Sequence, residues 1–82
     1  MNVTVADLRR LLDGAQDDST LLMVAGRFEI VPAAGIEEYP GALVVISRAA
    51  LRAQLPRDRA PTDEELRLRA EILSTGITKL GA

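Results

Sequence analysis

The segment Thr20-Leu21-Leu22-Met23-Val24-Ala25-Gly26-Arg27-Phe28-Glu29-Ile30-Val31-Pro32 reads as strand, turn and strand. Thr20 to Ala25 is an apolar run rich in β-formers, Gly26-Arg27 suits a two-residue hairpin turn, and Phe28 to Val31 returns before Pro32 removes a backbone donor. A third apolar run, Ala42 to Ile46, follows the turn formers Pro40-Gly41. The span between, Ala33 to Tyr39, reads as a loop carrying the acidic pair Glu37 and Glu38. These runs predict a three-stranded, mainly antiparallel sheet.

Helical patterns flank the strands. Upstream, Thr4 is placed to cap a helix whose Val5, Leu8, Leu11 and Leu12 share one face, with Gly14 as its left-handed stop. Downstream, Ser47 caps a short helix over residues 48 to 55, closed by Pro56 and the exposed linker Arg57-Asp58-Arg59-Ala60-Pro61. Thr62-Asp63-Glu64-Glu65 then forms a capping box opening a helix that reaches about Ser74, with Gly76 beyond its end. The expected fold is one α+β domain over residues 1–82, in the order α-β-β-β-α-α. Helix 1 is expected on one sheet face and the C-terminal helices on the other or beside it.

The apolar content, 48%, against 27% charged residues is that of a chain that folds. It is almost wholly aliphatic: one Phe, one Tyr and no Trp leave modest area per buried side chain, so stability is expected to be small or shared with a partner. Strands one and three read as continuous apolar runs, which implies cover on both sheet faces. The last helix spreads Leu66, Leu68, Ala70, Ile72 and Leu73 beyond one stripe and so calls for two contact surfaces. Burial within the chain and a homodimer or larger homo-oligomer both satisfy this pattern.

Cysteine and histidine are absent, which removes thiolate nucleophiles, disulfides, the usual zinc sites and imidazole bases. The six glycines form neither a dinucleotide fingerprint nor a phosphate loop and read as turn and cap glycines, while Lys79 has no motif around it that would make it a Schiff-base amine. The pairs Asp17/Asp18 and Glu37/Glu38 lack the alternating oxygen ligands of a calcium loop and read as solvated charge. A non-catalytic chain with no cofactor and no metal is the expectation. No apolar run approaches the ~20 residues of a membrane span, and no leader pattern is read ahead of the first helix cap, so the expected compartment is the cytoplasm.

Charge is divided along the chain. Residues 48 to 82 hold seven basic and five acidic groups, residues 1 to 47 three and seven, for a net charge of −2. Arg48, Arg52, Arg57 and Arg59 are opposed only by Asp58 within their stretch. They offer a nucleic-acid reading through phosphate contacts, although the proline-bounded connection and the acidic start of the next helix do not suit a helix-turn-helix.

The N-terminal half, Val3-Thr4-Val5-Ala6-Asp7-Leu8-Arg9-Arg10-Leu11-Leu12 followed by Asp17-Asp18 and an apolar strand, resembles small uncharacterised proteins of phages and actinobacteria. The resemblance covers about half the chain and implies a helix packed on a small antiparallel sheet, with a mobile-element origin. It carries no functional residue with it, and the chain lacks the proline often found before the acidic turn in that group.

Taken together, these features predict a module that binds a host or cognate protein, in the manner of a phage or mobile-element inhibitor occluding a host complex such as a CRISPR effector. Phe28, Tyr39, Arg48 and Arg52 are the expected anchors, with Glu37 and Glu38 steering a basic partner. A small nucleic-acid-binding protein and a homo-oligomeric structural protein are the alternatives.

Overall fold

The structure, a computed structural model, describes residues 2–14 and 17–79; Gly81, one of the glycines read as a turn or cap, lies outside them. The chain is α+β, in the order α1 (Val5–Leu12), β1 (Ser19–Val24), β2 (Arg27–Pro32), a 3₁₀ helix (Ala33–Glu38), β3 (Leu43–Ser47), α2 (Arg48–Ala53) and α3 (Asp63–Lys79). The sheet order is β2-β1-β3, both pairings antiparallel.

The hairpin turn lies one residue earlier than the sequence suggested. Val24 pairs with Arg27, and the turn is Ala25-Gly26, with φ of 51° and 76°. Positive φ at both central residues is the geometry that matches strand twist in a two-residue loop. Gly26 accepts it without strain, and Ala25 is held there by six paired positions on either side.

On the other edge, β1 pairs with β3 through Leu21↔Ile46 and then Leu22↔Val44, so Val45 is an extra residue in β3. The bulge lets Val45, Ile46 and Leu43 all contribute to the main core.

That core lies between the sheet and the helices. Leu21 and Ile46 meet Leu8 and Leu11 of α1, Leu51 of α2, Leu55, and Leu66, Ala70 and Ile77 of α3. Helix α1 touches β1 and β2, α2 touches β1 and β3, and α3 packs chiefly on α1. All three helices therefore lie on one side of the sheet, with α3 as an outer layer. A sequence pattern shows how wide an apolar face is but not which side of a sheet it meets, and that is why the C-terminal helices were expected either on the face opposite helix 1 or beside it.

On the opposite side the 3₁₀ helix, formed where a loop was expected, folds back onto β2 so that Gly35 sits against Val31 and Pro32. Central β1 is buried on both faces: Leu21 and Leu22, which point to opposite sides, both have no exposed area. Edge strand β3 is not, and Val44 is exposed.

Three caps fix the helix starts as the sequence indicated. The Thr4 hydroxyl accepts from the Asp7 amide while the Asp7 carboxylate accepts from the Thr4 amide; Ser47 accepts from Ala50; Thr62 and Glu65 form the same reciprocal box. The stops differ. Gly14 is not left-handed; a Cβ there would stand 3.1 Å from the Ser19 hydroxyl and 3.2 Å from the Leu11 carbonyl, so the residue is required for close approach. Helix α3 runs through Gly76 to Lys79, because Ile77 is buried at helical spacing from Leu66, Ala70 and Leu73 and its burial outweighs the roughly 1 kcal/mol that a helical glycine costs.

Candidate functional site: an arginine-lined cleft

Helix α1 ends at Leu12 with Asp13 as its cap, and α2 ends at Ala53, so the two C-terminal ends and the linker to α3 enclose a space. Leu55 is buried and pins the start of the linker, Pro56 prevents α2 from continuing, and Pro61 leads into the Thr62 cap. The result is a cleft of about 590 Å³, within the range of ligand sites. Leu12, Leu55, Pro56 and Pro61 give it apolar walls, and Arg9, Arg52, Arg57 and Arg59 give it four cations against one acidic lining residue, Asp13.

The four arginines are not equivalent. Arg9 is paired with Asp63, its Nε donating at 3.1 Å. Arg59 makes a forked contact with Glu65 at 2.8 and 3.0 Å. That fork, then the amide and hydroxyl of Thr62, holds the Glu65 carboxyl down to about 2, while the same contact raises Arg59. The Asp63 carboxyl is likewise lowered, first by the hydrogen bond from Arg9. The guanidinium groups of Arg52 and Arg57 have no hydrogen-bond or ion-pair partner among the described residues. Two charges in the cleft are thus neutralised by the start of α3 and two remain unpaired, a local excess in a chain of net negative charge.

Arg48 stands apart from this group. Its Nε donates to the Leu12 carbonyl at 3.0 Å and its Nη1 to Asp17 at 2.8 Å, and its side chain is only 13% exposed. It closes the C-terminal end of α1, where an arginine satisfies a free carbonyl and complements the helix dipole. The run Arg48, Arg52, Arg57, Arg59 is therefore not one surface: the last three meet in the cleft, Arg9 joins them from another helix, and Arg48 is engaged in structure.

The remaining sequence-derived residues lie elsewhere. Phe28 is half-buried and packs on the core; Glu37 and Glu38 are exposed on the 3₁₀ helix; Tyr39 caps that helix, half-buried, its amide bonded to the Ile36 carbonyl at 3.0 Å. Of the six expected anchors and steering charges, only Arg52 lines the cleft. Arg9 and Asp13 were missed because they sit on the polar side of helix 1, more than thirty-five residues before Arg52, and no local pattern marks them.

Among the described residues, no group of three or more His, Cys, Asp or Glu side chains converges as a metal site would require, and no helix is long and apolar enough to cross a membrane. Comparisons with protein-family models, with curated proteins and with solved structures find no match to this chain.

Proposed function

We propose that this chain is a non-catalytic binding module whose arginine-lined cleft receives an acidic segment of a partner protein. The observation that carries the proposal is the pair of unpartnered guanidinium groups, Arg52 and Arg57, in a cleft walled by Leu12, Leu55, Pro56 and Pro61. A carboxylate matches the planar fork of arginine, and the apolar walls suit an aliphatic residue beside it. Arg9 and Arg59, already paired, offer a second tier that an incoming carboxylate reaches by competing with Asp63 or Glu65.

Nucleic acid is the second reading, favoured by the meeting of Arg52, Arg57 and Arg59. Single-stranded recognition rests on aromatic stacking, however, and neither Phe28 nor Tyr39 lines the cleft. In the setting that the N-terminal half resembles, the module acts as an inhibitor that occupies a contact surface of a host complex. A basic surface, such as that of a CRISPR effector, would engage the exposed Glu37 and Glu38 instead of the cleft.

Fluorescence anisotropy separates these readings, using a labelled peptide that alternates Glu and Leu, and a thymidine oligonucleotide of equal charge. The peptide is expected to bind, and Arg52→Glu/Arg57→Glu to weaken it about tenfold or more. Binding of the oligonucleotide alone, lost steeply with added salt, supports the second reading. Equal behaviour of the wild type and the double variant with both probes refutes the cleft as a site.

A further inference from the structure

Helix α3 buries Leu66, Ala70 and Ile77 against the rest of the chain but turns another face outward. That face carries Leu68 and Ile72, which are 54% and 52% exposed, together with exposed Thr75, Gly76 and Lys79. Leu68, Ile72 and Gly76 stand four residues apart, on one ridge of the helix.

Gly76 has no explanation within the monomer. It lies inside the helix without positive φ, and a Cβ added there meets nothing within 4 Å. Alanine at that position would fit and would favour the helix. A glycine on an open helix face next to two exposed aliphatic residues is the arrangement that lets another backbone approach closely.

We propose that two copies of this chain pair through the outward face of α3, antiparallel about a two-fold axis near Ile72. In that arrangement Ile72 meets its own copy, and Leu68, about 6 Å along the helix on one side, reaches the level of Gly76 and Thr75 of the other copy. Charge selects the direction. In the first turn of α3 Asp63 and Glu65 are held by Arg9 and Arg59, which leaves the Glu64 carboxylate outstanding, and the last turn holds Lys79. An antiparallel pair sets each acidic start beside the other copy's Lys79 and opposes the two helix dipoles, whereas a parallel pair sets acid against acid. The Leu68-Ile72-Gly76 ridge is self-complementary, as a two-fold contact requires. The cleft draws on α1, α2 and the linker, so it stays open in the dimer, and the two proposals stand or fall separately.

One helix pair buries less than the ~1,600 Å² of a standard stable interface, so the expected dissociation constant is on the order of tens of micromolar. Sedimentation equilibrium from about 5 µM to about 1 mM tests this. The wild type is expected to pass from monomer to dimer across that range. Leu68→Ser/Ile72→Ser, at exposed positions that leave the monomer intact by circular dichroism, is expected to weaken association about tenfold or more. Gly76→Ala separates this interface from a general effect on folding: it is expected to raise the thermal midpoint of the dilute monomer and yet weaken the dimer. Lys79→Glu is expected to weaken it as well, with Glu64→Lys in the same chain restoring part of the loss. A chain that stays monomeric at about 1 mM, or that associates equally well in all these variants, overturns the proposal. So does a Gly76→Ala variant that dimerises more tightly.

Discussion

Glu65 satisfies several groups at once, accepting from the Thr62 amide at 2.9 Å, from the Thr62 hydroxyl at 3.1 Å and from the Arg59 fork. Its carboxyl, held at about 2 against a usual 4.5, is lower in the folded than in the unfolded chain, so it contributes stability above pH 4.5. That contribution disappears as pH falls from 4.5 towards 2. A carbon-detected NMR titration is expected to give Glu65 a midpoint near 2, and Glu65→Gln a shallower decline of stability across that acid window. Arg48 and Arg52, four residues apart on α2, are expected to respond oppositely. Arg48→Ala exposes the end of α1 and lowers stability by about 1–2 kcal/mol without touching the cleft; Arg52→Ala leaves stability within about 0.5 kcal/mol and weakens the acidic peptide. Denaturant melts beside anisotropy distinguish the two. Gly14→Ala is expected to cost about 1 kcal/mol by the same melts, since its Cβ would crowd Ser19 and the Leu11 carbonyl.

Among the elements, each strand and helix owes its position to a different kind of information. The caps at Thr4, Ser47 and Thr62 were legible because a hydroxyl at a helix start answers a local need, and the strands because apolar runs bounded by Pro and Gly leave little else. The 3₁₀ helix over Ala33–Glu38 was not legible: it exists because Gly35 folds back onto Val31 and Pro32, a contact that no spacing announces. Helix α3 outran its expected end for the same reason, with tertiary burial of Ile77 overriding a glycine. Likewise the cleft was half legible, as three arginines from one stretch, while Arg9 reached it only through the packing of α1. Leu51, fully buried and the only buried residue of the six-residue α2, is the element's weak point. Leu51→Ala is expected to cost about 2–5 kcal/mol, large enough to detach α2 and Arg52 with it.

For the molecule as a whole, the layers are stacked in series: sheet, then α1 and α2, then α3 resting chiefly on α1. An outer helix with few sheet contacts is free to open without unfolding the rest, and its amides are expected to exchange at lower free energy than those of β1, buried on both faces. Hydrogen exchange followed by mass spectrometry or NMR checks this order, and equal protection of α3 and β1 refutes it. One bond gives that motion a reporter. The Val3 amide donates to the Ser74 hydroxyl at 2.8 Å, across 71 positions of the chain and outside any helix or strand hydrogen bonding of its own. Its proton is shielded only while α3 is docked, so the exchange rate of this one amide is a clock for the undocking of a seventeen-residue helix.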